Sequence, residues 1–193
     1  MAEPNGSVTA LTDSTPGFAD GVFGKLKFPK SITLDPTGQT LYIADTGNSL
    51  IRKITTTFPY TLSTLAGNST QFFNPFPSDN VGNRDGNGIH GENFLCFSEG
   101  ITASPTGLYI ADTGNNSIRA LSFTGTLTTL AGQAGVEPSF ESSPQGYTDG
   151  SPPSSLWNNP TSIFSYGSSL YITEPSNTAV RVITNIQYIY LTQ

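Results

Sequence analysis

The stretch Leu41-Tyr42-Ile43-Ala44-Asp45-Thr46-Gly47-Asn48 decides the fold, because it returns as Leu108-Tyr109-Ile110-Ala111-Asp112-Thr113-Gly114-Asn115 and, weakened, as Leu170-Tyr171-Ile172-Thr173-Glu174. The copies lie 67 and then 62 residues apart. In each, an Arg stands seven residues after the acid, so Asp45 is matched by Arg52, Asp112 by Arg119 and Glu174 by Arg181. Insertions between copies therefore fall outside this unit. Working outward, Asp20-Gly21, Asp85-Gly86 and Asp149-Gly150 precede the three copies, and Leu65-Ala66-Gly67 recurs as Leu130-Ala131-Gly132. Self-similarity at a fixed period marks a repeat architecture, in which each unit is one supersecondary motif that buries its faces only against its neighbours.

Each module reads as four short strands. Ser31 to Leu34 is followed by Asp35-Pro36-Thr37-Gly38, a turn signature with Pro at its second position, and then by Thr40 to Ala44. Asp45-Thr46-Gly47-Asn48 makes a second turn into Leu50 to Ile54, and after a longer loop comes Thr61 to Ala66. The second copy gives Gly100 to Ala103, Leu108 to Ala111, Ser117 to Leu121 and Thr126 to Ala131. The third gives Ser162 to Ser165, Ser169 to Thr173, Ala179 to Ile183 and a final Ile186 to Leu191. Antiparallel meanders repeated without intervening helices are the pattern of propeller blades.

Composition narrows the function. The 193 residues include 20 Gly and 14 Pro, and 8 Lys plus Arg against 14 Asp plus Glu leave a net charge of −6. That sign disfavours nucleic acid, whose phosphates need clustered Lys and Arg. One Cys excludes an intramolecular disulfide and a Cys-based zinc site, and one His excludes a multi-His metal centre. No metal and no cofactor is implied. The opening Met1 to Gly6 has neither the basic nor the apolar region of a secretory signal, and no stretch reaches the length of a membrane span. Sequons beginning at Asn5, Asn68 and Asn115, together with the low charge, lean slightly toward an extracellular or cell-surface setting.

The segment FADG…FPKSITLDPTGQTLYIADTGNSLIRKI…LSTLAG, from Phe18 to Gly67, resembles an NHL repeat, and the other two copies follow the same pattern over nearly the whole chain. The resemblance implies an all-β fold: a partial β-propeller of three four-stranded antiparallel blades at 18–67, 83–132 and 147–191. An extra outer strand is expected at Val8 to Thr12, which is similar to Leu62 to Ala66. The repeats run longer than the usual NHL unit because Asn68 to Asn93 and Gln133 to Asn158 form extended loops, where specific contacts can lie. Propellers close with roughly four to eight blades. Three blades therefore call either for the remaining blades of a longer ring or for a homodimer of two chains set head to tail, three blades plus three.

The Asp45/Arg52, Asp112/Arg119 and Glu174/Arg181 sets recur in every copy, which is what a fold requirement predicts; structural roles are expected for all six. Cys96 lies in the apolar run Phe94 to Phe97 and reads as a small buried hydrophobe, and His90 as a loop residue. No catalytic constellation emerges. Aligning Ile32, Ile101 and Ile163 places Lys30, Glu99 and Thr161 at equivalent positions, which the resemblance puts at the mouth of the central channel. Side chains that vary on a repeated scaffold are free to specify a ligand, and these three are candidate binding residues. The loop aromatics Phe72, Phe73, Phe76 and Tyr147 are candidate anchors, whereas Trp157 is expected to pack under its blade as Leu26 and Leu95 do.

Three functional classes stay open. The first is a binding module that offers its loops to a protein partner or a glycan. The second is a six-bladed hydrolase or lactonase, which needs a calcium ion held by channel carboxylates and amides; the inner positions supply one acid. RNA binding, known among NHL proteins, ranks third on charge grounds.

Overall fold

A computed structural model of the chain describes residues 6–67, 84–87, 95–133 and 145–186. Among the described residues, strands account for all the regular structure beyond single 3-10 turns. The first sheet holds β1 (Gly21–Val22), β2 (Ser31–Leu34), β3 (Thr40–Asp45), β4 (Leu50–Thr55) and β5 (Thr61–Ala66), in the spatial order β1-β5-β4-β3-β2. The second repeats it with β6 (Gly86–Asn87), β7 (Gly100–Ser104), β8 (Gly107–Asp112), β9 (Ser117–Leu121) and β10 (Thr126–Ala131), in the order β6-β10-β9-β8-β7. In the third, β11 (Ser162–Tyr166), β12 (Ser169–Glu174) and β13 (Ala179–Ile183) lie in sequence. All pairings between these strands are antiparallel, as meanders with short turns require. The architecture is the all-β partial propeller.

The period-2 alternation of each strand divides its residues between two neighbouring sheets. Tyr42, Ala44, Ile51, Leu65 and Ala66 of the first sheet meet Ile101, Leu108, Ile110, Leu121 and Leu127 of the second. Tyr109, Ala111, Ile118, Ala120 and Ala131 on the second sheet's other face meet Ile163, Leu170, Ile172 and Ile183 of the third. Strand β8 is thus buried at every residue. Polar side chains of one inner strand also serve the next. Ser31 Oγ accepts the Ile101 N–H at 3.3 Å, Thr33 Oγ1 that of Ala103 at 3.1 Å, and Thr102 Oγ1 that of Ser165 at 3.3 Å. A further clasp crosses at the turns, where Thr46 Oγ1 donates to Ser98 O and Thr113 Oγ1 to Pro160 O, both at 2.7 Å.

One expected strand is absent: residues 8–12 form none, and Val8 is fully exposed. The outer edge of β5 carries β1, which pairs Gly21 with Leu62 and Val22 with Thr61. Leu11 instead packs with Leu26 over Ile43, Ile54 and Leu62, on the first sheet's outer face. The fourth strand expected at 186–191 lies outside the described residues after Ile186. Apolar side chains are left exposed at both ends of the arc: Ile32 and Leu34 on the first sheet, beyond the cover of Leu11 and Leu26, and Phe164, Tyr166, Tyr171, Val180 and Val182 on the third.

Candidate functional site

The buried charges sit where each long loop enters its blade. Arg52, fully buried, donates through Nη1 to Asp45 Oδ2 at 2.9 Å and to Lys25 O at 3.2 Å. Its Nη2 reaches Ala19 O and Asp20 Oδ1, and its guanidinium lies 4.8 Å from the centre of the Phe18 ring. Asp45 in turn accepts the Lys27 N–H at 2.7 Å and the Asn48 amide at 2.8 Å. Arg119 copies this with Asp112 and Asp85, both at 2.8 Å. Arg181 does so with Asp149 at 2.9 Å and Glu174 at 3.4 Å, stacked 4.1 Å from the centre of the Trp157 ring. The planar five-donor fork of Arg suits this role, joining two carboxylates and backbone carbonyls of a loop to one sheet. Burial pushes the Asp45 and Asp112 carboxyls above their usual range, against the pull of their hydrogen bonds and of the Arg beside each. All six repeated charges are engaged within the scaffold. Asp20, Asp85 and Asp149 recur in the sequence, but their pairing with these Arg residues depends on the path of each loop.

Lys30, Glu99 and Thr161 take equivalent places. Their N–H groups donate to Ala44, Ala111 and Thr173 carbonyls at 3.1, 3.2 and 3.0 Å, just ahead of β2, β7 and β11. Lys30 Nζ stands 3.6 Å from Glu99 Oε1 across two blades, with both side chains partly exposed. The Thr161 hydroxyl pairs with that of Thr173 at 3.0 Å. Blades crowd closely here: a Cβ on Gly100 would collide with the Thr161 carbonyl, so this place in β7 admits only Gly. The three variable residues therefore lie along one rim at the entrances of adjoining inner strands.

Phe72, Phe73, Phe76 and His90 lie outside the described residues. Tyr147 is exposed, with its ring centre 5.2 Å from the Arg181 guanidinium, whereas Trp157 is buried and donates its indole N–H to Ser155 Oγ at 2.8 Å. Cys96 is half-buried; its thiol is pushed up to about 12, first by burial and then by the Asp112 charge. Among the described residues no group of three or more His, Cys, Asp and Glu is placed to hold a metal ion, and no helix is long and apolar enough to cross a membrane.

No family model matches the chain, and neither does any curated protein sequence. Similar solved structures exist. An auxiliary nutrient binding protein from Bacteroides thetaiotaomicron superposes with a TM-score of 0.62 at 19% identity, over 78% of this chain and 36% of that one. One of the same description from Bacteroides ovatus gives 0.60 at 25% identity, over 78% and 36%. The chain thus spans about a third of the length of these structures. The likeness establishes the propeller fold.

Proposed function

We propose that this chain is an NHL-type propeller module that acts by binding, a rigid scaffold offering its channel-mouth rim and long loops to a protein or glycan partner, and that it is not an enzyme. One observation carries the reading. The repeated charges are committed to holding loops onto blades, while the residues that differ between copies, Lys30, Glu99 and Thr161, sit at the rim. An acid–base or calcium-dependent hydrolase needs several ligands converging on the axis, and these three positions contribute one carboxylate. The apolar side chains left exposed at the two ends of the arc belong to a ring completed by further blades of a longer chain or by a second copy set head to tail.

The two classes separate by thermal melting with and without calcium. The binding module predicts an unchanged melting temperature; a rise of several degrees would overturn it in favour of a calcium-dependent hydrolase or lactonase.

A further inference from the structure

Two residues ahead of Lys30, Glu99 and Thr161, the copies carry Phe28, Phe97 and Asn159, all in left-handed backbone with φ of 49°, 48° and 50°. Asn tolerates this conformation and a bulky side chain rarely adopts it. Pro29 restricts Phe28 further. Burial would ordinarily compensate such strain, yet the two Phe residues are 64% and 51% exposed. Strain without burial in two blades, at a place where the third blade uses the tolerant residue, calls for a contact made outside the chain.

Both residues meet the turn at 46–49, Phe28 through its ring and Phe97 through its backbone. The Phe28 ring abuts Gly47, where an added Cβ would come within 2.9 Å of Cδ2, and the Phe97 N–H donates to Ser49 Oγ at 3.3 Å. Just inside them stand Lys30 and Glu99, which neutralise each other. The surface therefore sets two exposed aromatic rings beside compensated charge.

The geometry points to a neutral saccharide lying across this rim, its apolar C–H faces on Phe28 and Phe97 and its hydroxyls toward the partly exposed Lys30 and Glu99. This rests on the binding-module reading and names its ligand class. A polyanion would meet a chain of net charge −6 and a local cation already paired. An extended peptide docks through free backbone groups at a sheet edge. Here the N–H groups of Gly47, Ser49, Phe97, Gly114, Asn116 and Asn159 are already donated within the chain. A protein hot spot packs its aromatic anchors in one desolvated cluster, whereas these two belong to different blades and are both exposed.

Native electrophoresis of the full chain through gels containing laminarin, xylan or soluble starch tests the proposal. At least one polysaccharide should retard the wild type. Phe28→Asn and Phe97→Asn install the third blade's own residue at each position, so they should abolish retardation while raising the melting temperature by about 2–4 °C per site. Free migration in all three gels overturns the proposal, as does undiminished retardation of the double variant. A lower melting temperature in the variants would assign the rings to packing and overturn it equally. A calcium-induced rise in melting temperature overturns the binding-module reading and this inference with it, whereas free migration without a calcium response removes only the saccharide.

Discussion

Arg119 has no exposed surface in its side chain and holds two carboxylates, Asp112 inside the sheet and Asp85 on the incoming loop. Arg119→Ala would leave the Asp112 carboxyl buried without its cation, at a cost of about 3–5 kcal/mol. Chemical denaturation should show that loss; an unchanged midpoint would refute the structural role. Cys96 offers a second check. With its thiol pushed up to about 12 from an ordinary value of 9.0, the folded chain keeps a proton that the unfolded chain releases. The resulting stability is complete below 9 and declines as pH climbs toward 12. Alkylation of the native thiol at about pH 8 should run about a thousandfold slower than that of the unfolded chain, followed by mass spectrometry. At this scale the sequence was only partly legible. Recurrence singled out Asp20 and Arg52 separately, but their bridge spans 32 positions and depends on the loop's path. The left-handed Phe28 and Phe97 carried no such mark, because a side chain's identity does not reveal a dihedral angle its neighbours impose.

Among the elements, the turn after the acid is the most regular. Each copy has a short 3-10 turn closed by a left-handed residue: Ser49, Asn116 and Thr178, with φ of 53°, 47° and 52°. Ser49 Oγ receives the Phe97 N–H and Asn116 Oδ1 the Asn159 N–H, so the closing residue of one blade also fastens the next. Thr178 is the strained member, since β-branched residues are poorly accommodated at positive φ. Thr178→Asn should stabilise the chain by about 1 kcal/mol, measured by urea unfolding; destabilisation would show that the methyl group packs. Strand cores were readable from alternation alone, and their ends extend only a residue beyond expectation, as in β3 to Asp45 and β4 to Thr55. The two-residue strands β1 and β6 were not foreseen, because Gly-Val and Gly-Asn show no periodicity. Residues 8–12 misled through their similarity to Leu62 to Ala66, since a matching pattern does not supply the neighbouring strand that an outer strand pairs with.

For the whole molecule, the blade contacts form a series that changes at its end. The clasp threonines Thr46 and Thr113 give way to Pro175, and the hydroxyl carriers Thr33 and Thr102 to Phe164. Whatever covers the third blade is therefore met by apolar side chains rather than by the hydroxyl pattern used inside the arc. Light scattering on the 193-residue chain should give a mass above 20.4 kDa that grows with concentration, with bound apolar dye. A clean monomer that binds no dye would show these faces to be ordinary surface.

The central sheet is the one whose β8 is sealed at every residue, and its neighbours each shield a single side of it. Loss of structure should then travel inward from both ends of the arc, as in a row of stacked plates. Deuterium would enter the amides of Ile32 to Leu34 and Val180 to Val182 soonest, and those of Leu108 to Ala111 last.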